Sequence, residues 1–75
     1  MKHPLSTLKA GESASVASLV TPDPLRRRLL DLGFTPGARV CCLFTAPSGD
    51  PQAFVVRNTV IALRKSDAAT VLTEA

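Results

Sequence analysis

Seventy-five residues with 45% hydrophobic side chains, three Phe and no Trp or Tyr describe one domain, spanning residues 1–75, with an aliphatic core. That is near the size at which a single core just suffices. Nine Lys and Arg against six Asp and Glu leave a net charge of +3, short of the clustered basicity of a dedicated nucleic-acid binder.

Met1-Lys2-His3-Pro4-Leu5 lacks the apolar centre of a secretory signal, and no run is long enough for a membrane-spanning helix. Cys41 and Cys42 are adjacent, and on a strand they face opposite ways, so no disulfide framework is implied and a reducing cytoplasm is expected. His3 is expected in a mobile terminus. Leu5 and Leu8 tuck one turn or bend against the core ahead of the Ala10-Gly11-Glu12 turn. Ser13 to Val20 reads as a strand with Ala14, Val16 and Leu19 in contact with the core. Its alternation is imperfect, which predicts a bulge.

Thr21-Pro22-Asp23-Pro24 breaks that strand and starts a helix, with Asp23 as N-cap and Pro24 at the first helical position. Leu25, Leu29 and Leu32, at i, i+4 and i+7, form one apolar stripe. Gly33 sits where a left-handed C′ residue belongs, and Phe34 can fold back over Leu29. Thr35-Pro36-Gly37 then turns the chain. So short a helix cannot stand alone in water and must pack on the strands.

Ala38 to Ala46 is the second strand, with Val40, Cys42 and Phe44 taken as inward. Pro47-Ser48-Gly49-Asp50-Pro51 is a turn cluster. Gln52 to Arg57 is the third strand, with Phe54 and Val56 inward, and Asn58-Thr59 reads as a two-residue reversal. Val60 to Arg64 follows with Ile61 and Leu63 inward. Lys65 to Ala69 reads as a single helical turn, and Thr70 to Thr73 closes the chain with Val71 inward. The whole predicts a mainly β domain, a small closed or nearly closed barrel of five or so short strands, with the short helix between the first two.

Chemistry is sparse. No residue pattern positions a general base or a nucleophile, so no enzyme is expected. Surface His3 and an outward Cys41 are the metal candidates, for a divalent ion such as zinc or ferrous iron bridging copies of a weak homodimer; no cofactor is required. Arg26-Arg27-Arg28 reads as a solvated helix face, with Arg27 paired to Asp31. Leu30, Leu43, Val55, Val60 and Leu72 are left over once the core is assigned, and together they would make a docking patch. Gly33, Pro36, Gly37, Gly49, Asp50 and Pro51 are assigned to backbone geometry.

Leu8-Lys9-Ala10-Gly11-Glu12, Arg28-Leu29-Leu30-Asp31-Leu32-Gly33-Phe34-Thr35-Pro36-Gly37, Ala46-Pro47-Ser48-Gly49-Asp50-Pro51, and Ile61-Ala62-Leu63-Arg64-Lys65 with Ala68 and Val71 resemble, in order and over nearly the whole chain, the FeoA family of ferrous iron transport proteins. Asn58 stands where that family often has glycine, and Thr59 where a larger residue is common. The resemblance implies an SH3-like barrel with an inserted helix. It implies a cytoplasmic accessory that binds and modulates FeoB, the membrane ferrous iron transporter, and so lies peripheral to the inner membrane. Related domains are fused to metal-dependent transcriptional regulators, but no helix-turn-helix is present here. On this basis Arg26, Arg27, Leu30, Leu43, Val55 and Val60 are assigned to partner contact, with no nucleic acid and no membrane insertion. The alternatives are a nucleic-acid-binding barrel and a metal-responsive dimeric module.

Overall fold

A computed structural model describes residues 1–74. Its helix α1, Leu25–Leu32, ends as its sequence directs. Gly33 takes φ +117°, and the N–H groups of Gly33 and Phe34 donate to the carbonyls of Leu30 at 3.1 Å and Leu29 at 3.0 Å. This double bond is the Schellman end, and its partners Leu29 and Phe34 are both fully buried. At the other end Asp23 makes no capping bond among the described residues; the Pro22 carbonyl instead accepts the N–H of Arg26 at 3.0 Å. Backbone thus stands in for the expected side-chain cap.

Gly37, at φ +91°, completes a turn closed by the Ala38 N–H donating to the Thr35 carbonyl at 2.9 Å. That turn sends the chain into β3, Arg39–Thr45, which pairs antiparallel with β2, Ser13–Leu19. β4, Gln52–Val56, and β5, Thr59–Leu63, form a hairpin beside β3. α2 is the single turn Lys65–Ala68, and β6, Val71–Glu74, returns to pair with β2. The expected bulge in β2 lies between Val16 and Ser18.

Four further details differ from or refine the sequence reading. His3 and Pro4 form a short β1 that pairs with β6, and the His3 carbonyl accepts the Thr73 hydroxyl at 2.9 Å, so this end of the chain is held rather than loose. A 3-10 turn, Leu5–Thr7, then plants Leu5 in the core. Among the described residues there are therefore six strands, in the order β1-β6-β2-β3-β4-β5, and the hydrogen-bonded sheet stays open between β1 and β5. The reversal after β4 is Arg57-Asn58, not Asn58-Thr59. Both turn residues have positive φ, 51° and 60°, as a two-residue hairpin loop of right-handed twist requires, and Thr59 is already in β5 opposite Val56.

The fourth change matters most. Cys42 pairs with Phe54 while Phe44 pairs with Ala53, so β3 carries one residue more than β4 over this step. The extra residue reverses the alternation, and Phe44 is 54% exposed rather than inward. The core gathers Leu5, Val16, Leu29, Phe34, Val40, Cys42, Phe54, Val56, Leu63, Ala68 and Val71. Among the described residues no helix is long and apolar enough to cross a membrane.

Candidate functional site

The bulge in β3 builds an apolar outer face on the sheet. Register places Cys41, Val55 and Val60 in one row across β3, β4 and β5. Phe44, Ala53 and Ala62 make the next row, with Leu43 at the bulge between them. Val60 is 61% exposed and Leu43 43% exposed; Cys41 and Val55 are half-buried. Among the described residues no charged side chain interrupts the two rows.

This unites three of the sequence-assigned contact residues, Leu43, Val55 and Val60, and adds Phe44, which strict period-two alternation puts inside. Leu30 is elsewhere. It lines a separate groove with Asp23, Arg26, Arg27 and Asp31, and none of the strand residues borders it. Arg27 and Asp31 share that groove, but among the described residues no ion pair within 4.0 Å joins them. Leu72 is on β6, opposite Pro4 and Ser18, and is half-buried there.

The metal candidates separate as well. His3 is exposed on β1 and shares a hollow with Glu12, while Cys41 is on β3, with β6 and β2 between them. Among the described residues no three His, Cys, Asp or Glu side chains converge. Cys42 is fully buried. Burial pushes its thiol above the ordinary value; a side-chain hydrogen bond with Thr45 opposes the shift, and Cys41 and Glu12 add to it.

Of the turn residues, Asp50 does more than shape the backbone. Its Oδ1 accepts the N–H of Lys65 at 2.8 Å, the first N–H of α2. Gly49 has φ +92°, and its N–H donates to the Ala46 carbonyl at 2.7 Å, as the turn reading expects.

A sequence model of the FeoA domain matches residues 3–75. The chain belongs to the FeoA family. It is similar to the Fe(2+) transport protein A/Fe(2+) transporter FeoB fusion protein of Porphyromonas gingivalis, at 30% identity over 70 residues. The match covers 93% of this chain and 8% of that protein, so the chain spans a small fraction of its curated relative. The FeoA of Stenotrophomonas maltophilia, solved in complex with zinc and described as a prokaryotic SH3 domain protein, superposes with a TM-score of 0.85 at 36% identity, covering 99% of this chain and 89% of that one. The FeoA of Chlorobium tepidum gives 0.87 at 37% identity over 93% and 68% of the two chains. This FeoA-family chain therefore shares the SH3-like fold of its solved relatives.

Proposed function

We propose that this FeoA-family chain is a non-enzymatic accessory of ferrous iron uptake that binds a FeoB-type transporter at the cytoplasmic face of the inner membrane and modulates its transport. One observation carries this reading: in the Porphyromonas gingivalis relative, a segment similar to this chain shares a polypeptide with the transporter. Fusion sets two modules at high effective concentration, which is useful where they act on one another.

The outer face of β3, β4 and β5 supports the same reading. An aromatic ring and several aliphatic groups exposed on adjacent strands, with no charge among them, suit a protein partner rather than a phosphate backbone. Arg26 and Arg27, on the separate groove of α1, would speed encounter with an acidic partner. The role needs no cofactor.

The test is affinity capture with the tagged chain from membranes that contain a FeoB-type transporter, paired with ferrous iron uptake into vesicles with and without the chain. Retention of the transporter together with a changed uptake rate supports the reading. No retention of the transporter, or retention without a changed uptake rate, overturns it.

A further inference from the structure

The two free edges of the sheet are guarded very differently. β1 is two residues long, and one of them is Pro4, which has no N–H to offer a neighbour. β5 reads Thr59-Val60-Ile61-Ala62-Leu63, with no charge, no proline and no bulge. Edges are ordinarily blunted by such devices, because bare N–H and C=O groups invite another strand.

Hairpin geometry says which groups are bare. A two-residue loop makes Val56 and Thr59 the hydrogen-bonded pair that closes the hairpin. By alternation, Thr59, Ile61 and Leu63 turn their backbone groups to β4, while Val60 and Ala62 turn theirs to the open side. Among the described residues neither Val60 nor Ala62 makes a backbone hydrogen bond outside the ladder.

Beside this edge runs a groove of about 270 Å³ between α1 and β5, walled by Leu25 and Leu32 on the helix and by Ile61 and Ala62 on the strand. Arg28, Arg64 and Asp67 border it. Arg57 stands at the other end of β5. Neither Arg57 nor Arg64 is in an ion pair within 4.0 Å among the described residues.

We propose that β5 is a receiving edge: an extended segment of the partner protein pairs with Val60 and Ala62 as a seventh strand. Its alternate apolar side chains fill the groove against Leu25 and Leu32, and acidic residues at its ends meet Arg57 and Arg64. The side chains on its other face continue the apolar outer surface beyond Val60. Backbone pairing would give affinity without demanding one sequence; groove and end charges would give selectivity. A second copy of this chain fits the edge poorly. Antiparallel pairing of two β5 strands would bring the Arg57 end of one copy to the Arg64 end of the other, like charge beside like.

The identity of the partner rests on the transporter reading above, and the test separates the two. The tagged full chain is incubated with a purified FeoB-type transporter, and amide hydrogen exchange is followed over residues 58–64. Exchange at Val60 and Ala62 is expected to slow at least tenfold in the complex. Ala62→Pro removes an edge N–H and should cut transporter retention at least tenfold, whereas Ala62→Ser, which keeps the N–H, should not. Retention with unchanged exchange at Val60 and Ala62 overturns strand addition and leaves the accessory reading standing, whether or not Ala62→Pro folds. No retention of the transporter by the unaltered chain overturns the accessory reading and this inference with it.

Discussion

Asp50 and Lys65 lie fifteen positions apart, yet the carboxylate of one caps the helix begun by the other at 2.8 Å. α2 has four residues and no side-chain cap of its own, since Arg64 at its N-cap makes none. The β3–β4 turn thus holds the start of α2, and α2 leads into β6. Asp50→Ala leaves the Lys65 N–H without that partner and should cost about 1 kcal/mol, or about 4 to 8 °C in Tm for a domain of this size. Asp50→Asn keeps an acceptor and should cost less. Thermal unfolding checks both, and equal losses would locate the effect in the turn rather than the cap.

Gly33 offers a second stability test. Its φ of +117° is unsuited to an L side chain, and an added Cβ would stand 3.0 Å from Cδ of Arg57. The arginine stem can swing aside, so strain in the backbone decides the cost. Gly33→Ala should destabilise by about 1 to 3 kcal/mol. The denaturant midpoint should fall without a change in the m-value. An unchanged midpoint would show that the Schellman end tolerates a side chain.

What could be read from residue order was whatever is local and chemically particular. The spacing of Leu25, Leu29 and Leu32 with Gly33 and Phe34 specifies α1 and its end, because every interaction there spans one or two turns. Thr35-Pro36-Gly37 was equally legible. The bulge at Leu43 and Phe44 was not. Cys41-Cys42-Leu43-Phe44-Thr45 is an unbroken run of β-formers, and an extra residue changes only the phase of the alternation. Phe44 therefore moved from the inferred core to the outer face, and the candidate site gained its aromatic. Arg57 lacks the turn preference of asparagine, so residue types alone place the hairpin loop one residue late. β1 and the Asp50 cap depend on partners distant in sequence, which no local pattern carries.

On the proposed interface, the outer face and the helix groove can be told apart. Phe44 is already more than half exposed, so Phe44→Ser should change stability by no more than about 1 kcal/mol. Transporter retention should nevertheless fall at least tenfold, or about 1.4 kcal/mol, because exposed aromatics at an interface centre carry much of the affinity. Leu30→Glu, on the groove with Arg26 and Arg27, should fold and weaken retention by a smaller factor. Binding isotherms for the two variants decide the matter. Loss confined to Leu30→Glu would move the interface to the helix, and loss in neither would remove it from both surfaces.

The two cysteines should differ in reactivity and in their effect on stability at alkaline pH. Cys41 is half-buried, while Cys42 is fully buried with its thiol pushed up chiefly by burial. Near neutral pH the folded chain should consume one equivalent of iodoacetamide, at Cys41, and a second only on unfolding. A raised thiol pKa means the folded state holds the proton more tightly than the unfolded chain. Its stabilising contribution is complete below the ordinary thiol value of about 8.5 and is lost as pH rises through the higher folded value. Denaturant midpoints should therefore decline from neutral to alkaline pH. Cys42→Ala starts lower, because it leaves a small cavity in the core, but its decline should be shallower. Parallel slopes in the two chains would assign the alkaline loss to some other group, and labelling of Cys42 in the folded chain would show that β3 opens more readily than its burial implies.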